Sequence, residues 1–133
     1  MKQLLLAIVV SLAAYAGYAA PAQETSSLAT AYAGHLRHVR VQDQGQVIKV
    51  LPDDKDGSRH QRFLVRLASG QTILIAHNID IAPRLPSLSA KDLVEFNGIY
   101  EWNQKGGVVH WTHRDPSGRR AAGWIRHKGQ SYQ

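Results

Sequence analysis

The chain has no cysteine. No disulfide, thiolate metal site or cysteine nucleophile is open to it, and its stability rests on packing and hydrogen bonds. No Gly-x-Ser-x-Gly turn, phosphate-binding loop or dinucleotide fingerprint occurs, which removes the nucleophile-elbow hydrolases and the common nucleotide-binding classes. Acidic residues are scarce where the chain ends: after Gly107, Asp115 alone stands against Arg114, Arg119, Arg120, Arg126 and Lys128. Only one long apolar run is present, Leu4 to Ala20, and it follows the basic start Met1-Lys2. It is slightly short for a bilayer span, which takes about 20 residues. Small residues follow at Gly17-Tyr18-Ala19 and Ala20-Pro21-Ala22. The layout is that of a secretory signal peptide over residues 1–22, so the mature chain is expected without a membrane span and in the periplasm or outside the cell.

What remains is one domain's worth of chain, 133 residues with a formal charge of +6 and seven histidines. A helix is expected over residues 23–38, with Ser26 or Ser27 as its cap and Leu28, Tyr32 and Leu36 on one face. Strand patterns begin at Val39 and fill residues 39–133. Val39 to Leu51 alternates, and Pro52 to Ser58 reads as a polar turn. Phe63, Val65 and Leu67 share a face opposite Arg62 and Arg66, and Ser69-Gly70 joins them to Thr72–Ala76 as a hairpin. In Leu93 to Trp102 one face carries Val94, Phe96, Tyr100 and Trp102, the other Glu95, Asn97 and Glu101; Gly98 marks a bulge or bend. Val108–His113 and Gly123–His127 complete the set. The fold class expected is mainly β: a small five- or six-stranded OB-like barrel with one N-terminal helix.

Gly57-Ser58-Arg59-His60-Gln61-Arg62-Phe63, Ala76-His77-Asn78-Ile79-Asp80, Ala82-Pro83-Arg84 and Gly106 to Pro116 carry a further signal. The chain resembles, on these motifs, an uncharacterised domain-of-unknown-function family of small secreted bacterial proteins. His110-Trp111-Thr112-His113 is the most distinctive part. The resemblance implies a fold unit and a location, and no activity.

The chemistry-bearing residues concentrate in Val109 to Trp124, where two histidines, two tryptophans, three arginines and one aspartate fall together. Basic side chains beside aromatic rings suit an anionic polymer, nucleic acid or charged glycan. The expected ligand-binding residues are Arg59, Arg84, Trp111, Arg114, Arg119, Arg120 and Trp124. The alternative is a metal-assisted hydrolase, such as a nuclease. There His113 is the base and Asp115 orients its imidazole, while His60, His77, His110 and His113 are candidate ligands for a divalent metal. On a regular strand His113 and Asp115 share a face and His110 does not. A third reading, docking of a protein partner on the tryptophans, needs neither metal nor polyanion. No organic cofactor is suggested.

Overall fold

The structure, a computed structural model, describes residues 25–133; the expected signal segment lies outside these residues. The helix is shorter than the sequence pattern suggests. α1 covers Leu28–Ala33, and the Ser27 hydroxyl caps it by accepting the Thr30 N–H at 3.1 Å. Gly34 ends it. The chain then leaves helical geometry because the Leu36 carbonyl is taken by the Trp102 N–H at 3.1 Å, while His35 and His38 adopt left-handed φ values of 52° and 55°. Leu28 and Ala31 are the buried residues of α1, and Leu36 packs on the core from outside the helix.

Seven strands follow: β1 Arg37–Asp54, β2 His60–Leu67, β3 Thr72–Asn78, β4 Leu93–Glu101, β5 Val108–His110, β6 Trp124–His127 and β7 Gln130–Tyr132. Their pairing order is β1-β2-β3-β5-β4, and β4 returns to pair with β1. Five strands therefore close into a ring with OB-like order. All pairings within it are antiparallel except β3 with β5, where Ile75 lies opposite Val109. β6 and β7 extend the sheet from the free flank of β4.

The ring interior follows from two-residue alternation. Phe63, Val65 and Leu67 point inward from β2, Ile73 and Ile75 from β3, Val94, Phe96 and Tyr100 from β4, and Val109 from β5. These branched and aromatic side chains supply the largest favourable term in folding. The Tyr100 hydroxyl donates to the Gly106 carbonyl at 2.8 Å, so the buried ring keeps its polar atom satisfied.

Several boundaries differ from the sequence pattern. β1 runs on through Pro52-Asp53-Asp54, and the polar turn begins only at Lys55. β5 stops at His110 because Trp111 takes φ 54° and turns the chain out of the sheet. β7 has no counterpart in the sequence pattern; Lys128-Gly129, with φ 49° and 77°, forms the two-residue turn that creates it. Gly98 carries no bulge, since register runs unbroken from Val41–Gly98 to Gln42–Asn97. The reason for glycine there is crowding: a Cβ would stand 2.4 Å from the His110 carbonyl oxygen and 2.9 Å from Val109 and Thr112 side-chain carbons.

Gly98→Ala is therefore expected to lower stability by about 1–3 kcal/mol, the range for overpacking a filled interior. Urea unfolding of the two proteins measures it, and an unchanged midpoint would show that β4 and β5 can separate freely.

Candidate functional site

The segment between β5 and β6 is a closed loop. Its two ends lie side by side, because the Gly123 N–H donates to the His113 carbonyl at 2.9 Å. Its base is tied to the ring interior: Thr112 is buried, with its hydroxyl 2.8 Å from His77 Nδ1. Its tip is organised by Asp115. One oxygen of that carboxylate accepts the Ser117 N–H at 3.0 Å, and the other accepts the Arg119 and Arg120 N–H groups at 3.1 and 2.9 Å. The Ser117 hydroxyl lies 2.9 Å from both oxygens. These bonds, the backbone N–H of Ser117 foremost, hold the Asp115 carboxyl below its ordinary range. The single acid of the loop is thus spent on backbone, and Arg114, Arg119 and Arg120 make no ion pair with a carboxylate among the described residues. All three are exposed. The Arg120 guanidinium sits over the Trp111 ring, 5.1 Å from its centroid, a cation–π arrangement.

Beneath this loop lies a residue that the sequence pattern does not single out. Arg40 on β1 is only 7% exposed. It donates to the Asn97 side-chain oxygen and, at 3.0 Å, to the Ala121 carbonyl. Its Nε is buried without a partner, and it too has no carboxylate partner among the described residues. Burial, and then the charge of Arg120, lower its pKa. A buried guanidinium that feels the charge of an exposed one nearby adds to a positive field that an anion would relieve. Arg40 is hidden in the sequence because Val39-Arg40-Val41 reads as an ordinary alternating strand; only the loop folding over it makes the position unusual.

The other expected ligand-binding residues are engaged by other partners. The Arg59 Nε donates to Asp80 at 2.9 Å, and Arg84 pairs with Asp53. Both cations are already matched with carboxylates. Trp124 is half-buried, with the Arg126 guanidinium stacked 4.0 Å from its ring centroid. Trp102 packs against the core and stacks on His35 at 4.0 Å.

The histidines share a neighbourhood without forming a ligand set. His60 and His113 lie close enough to His77 to influence its charge, and His60 does the same to His110. Yet among the described residues no three His, Asp or Glu side chains are placed to hold an ion. His77 has no free nitrogen: Nε2 lies 2.9 Å from the Pro83 carbonyl and must donate to it, so Nδ1 accepts from Thr112. The expected His113–Asp115 pair does not form either. His113 Nδ1 donates to the Arg114 carbonyl at 2.6 Å, since the tight turn folds the Asp115 carboxylate onto the amides that follow it. His110 Nε2 stands 3.5 Å from a Glu101 oxygen, which His38 Nδ1 approaches at 2.7 Å. Burial, opposed by Glu101, lowers the His110 pKa.

Burial lowers the His77 pKa from 6.5 to about 4, with the Pro83 bond opposing and the nearby charges adding to the shift. Between those values the unfolded chain holds a proton that the folded ring refuses. The contribution of His77 to stability is therefore full above pH 6.5 and is lost as pH falls toward 4, at about 1.4 kcal/mol per pH unit. Imidazole NMR should find His77 neutral, with its proton on Nε2, down to about pH 5; titration near 6.5 would contradict the assignment. Asp115→Ala should speed amide exchange at Ser117, Arg119 and Arg120 and leave β2 and β3 protected. Equal acceleration in those strands would mean that the loop is not an independent unit.

No curated protein matches the chain by sequence. A family model described as a protein of unknown function (DUF3465) matches residues 8–133, nearly the whole length. The chain belongs to the DUF3465 family.

Proposed function

We propose that this is an exported binding protein whose β5–β6 loop takes an anionic polymer, nucleic acid or a charged glycan. One observation carries the reading: Arg40, buried without a carboxylate partner among the described residues and bonded to the Ala121 carbonyl, lies under a loop that exposes Arg114, Arg119 and Arg120 and whose only carboxylate is occupied by its own backbone. Arg114 and Arg119 widen the positive surface, and Trp111 with Arg120 supplies a planar face on which a base or sugar ring can stack. Export rests on the apolar segment Leu4 to Ala20 after Lys2. The closed ring is a rigid scaffold for such a loop, the usual division of labour between frame and binding surface.

The metal-assisted hydrolase has less to support it, because His77 is saturated and His113 lacks Asp115. For the binding reading, affinity for a single-stranded oligonucleotide and for a sulfated glycan should fall steeply with salt. The double variant Arg119→Ala/Arg120→Ala should bind roughly tenfold more weakly, or worse, at low salt. On a single strand its log–log salt slope should be shallower by roughly 0.7 for each phosphate that the variant no longer neutralises. Salt-independent binding, or none to either polymer, would overturn the proposal.

A further inference from the structure

A second surface lies away from the loop. A groove of about 640 Å³ crosses the outer face where β1 passes from β4 to β2, and none of its lining residues belongs to the 111–123 segment. Leu93 gives it an exposed apolar side chain, while Leu67 and Val94 border it with their side chains buried in the ring. Leu93 is 74% exposed, the most exposed large apolar side chain described. Arg66 stands on one bank, Arg126 and Lys128 on the other. Arg66 has no carboxylate partner among the described residues, while Arg126 and Lys128 make only loose, exposed pairs with Glu95 at 3.8 Å and Asp92 at 4.0 Å. Such pairs are weak in water and exchange readily for a ligand's charge.

The backbone narrows the kind of occupant. β4 is paired along the groove on both flanks, to β1 through Val94–Gly45 and to β6 through Val94–His127. β1 is likewise shared there between β4 and β2. A peptide strand would find no open edge on β1 or β4, and the free edge beside the groove is only the three-residue β7, too short to anchor strand addition. An alkyl chain needs no such partners. The volume falls within the roughly 300–1,000 Å³ of small-molecule sites.

We propose that this groove binds a single-chain anionic amphiphile, its alkyl chain against Leu93 and its carboxylate or phosphate head between Arg66 and Arg126. Exposed Leu93 is then the apolar contact that the ligand covers, and the two banks of cations orient the head.

The test uses octanoate, decanoate and dodecanoate below their micelle concentrations, with isothermal calorimetry on the exported chain purified without a tag. Affinity should rise by up to about fourfold per added methylene. A neutral alkyl glucoside of equal chain length should bind roughly tenfold more weakly, or worse, at low salt. Leu93→Ser, at an exposed position, should keep the wild-type melting temperature and lose about tenfold in affinity. Arg66→Ala/Arg126→Ala should bring the carboxylates down to the level of the glucoside. The Arg119→Ala/Arg120→Ala variant should bind them normally, which separates this site from the polyanion loop. The proposal fails if affinity ignores chain length, if Leu93→Ser binds like wild type, or if no carboxylate binds. It also fails if Leu93→Ser converts a dimer to a monomer without changing carboxylate affinity, since the occupant would then be a second copy of the chain.

Discussion

β1 serves two partners in succession, and the ring depends on that sharing. Its residues Arg37 to Gln46 pair with β4, and Gly45 to Asp54 pair with β2. The handover comes at Gly45, which faces Val94 on one side and Leu67 on the other. A Cβ at that position would stand 2.5 Å from the Arg66 carbonyl oxygen and 2.6 Å from a Val65 methyl carbon. Register shifts at Arg37/Val39, Val47/Lys49 and Leu51/Asp54 bend the strand along its course. Bending lets one strand of 18 residues curl across the ring and close it against β4. Closure in turn removes exposed sheet edges from the five ring strands and encloses Phe63, Phe96 and Tyr100.

That frame sorts the charges of a basic chain into two kinds. Arg59 and Arg84 meet Asp80 and Asp53 and are structural ties between neighbouring segments. Arg40, Arg114, Arg119 and Arg120 gather around the β5–β6 loop, where none of them pairs with a carboxylate among the described residues. The difference arises from one local device, the Asp115 side chain turning back on its own backbone. A carboxylate that accepts three amide N–H groups lends its charge to the turn rather than to the guanidinium groups beside it. The positive field there is a consequence of hydrogen-bond satisfaction at the tip as much as of arginine content.

The histidines illustrate how tertiary contact assigns chemistry that composition leaves open. Seven imidazoles in 133 residues suggest a metal or acid–base site. Burial fixes His77 as a neutral bridge between Thr112 and Pro83. His127 is also buried and pairs with Asp92 at 2.8 Å, joining the end of β6 to the entry of β4. His113 is consumed by the turn. Each of these three answers the need of a buried polar group for a partner, whereas His60 Nδ1 and His110 Nε2 are buried without a hydrogen bond among the described residues.

Alternation makes β2, β3 and β4 readable, since Phe63-x-Val65-x-Leu67 and Val94-x-Phe96 admit one buried face. The capping serine, the Ser69-Gly70 hairpin and the family resemblance are legible for the same reason: each is set by neighbours within a few residues. The α1 pattern misleads because Leu36 is held by Trp102, far along the chain, and Gly98 misleads because its constraint comes from β5. Asn97 falls on the expected outer face yet is buried against Arg40. The β class, the strand faces and the basic, aromatic character of the segment after Gly107 were written into the order of residues alone. Folding was needed to settle which charges stay unpaired, to bring Arg40 under the β5–β6 loop, and to part His113 from Asp115. Pairing of charges and hydrogen bonds depends on short distances between segments far apart in the chain, and alternation carries no record of those distances.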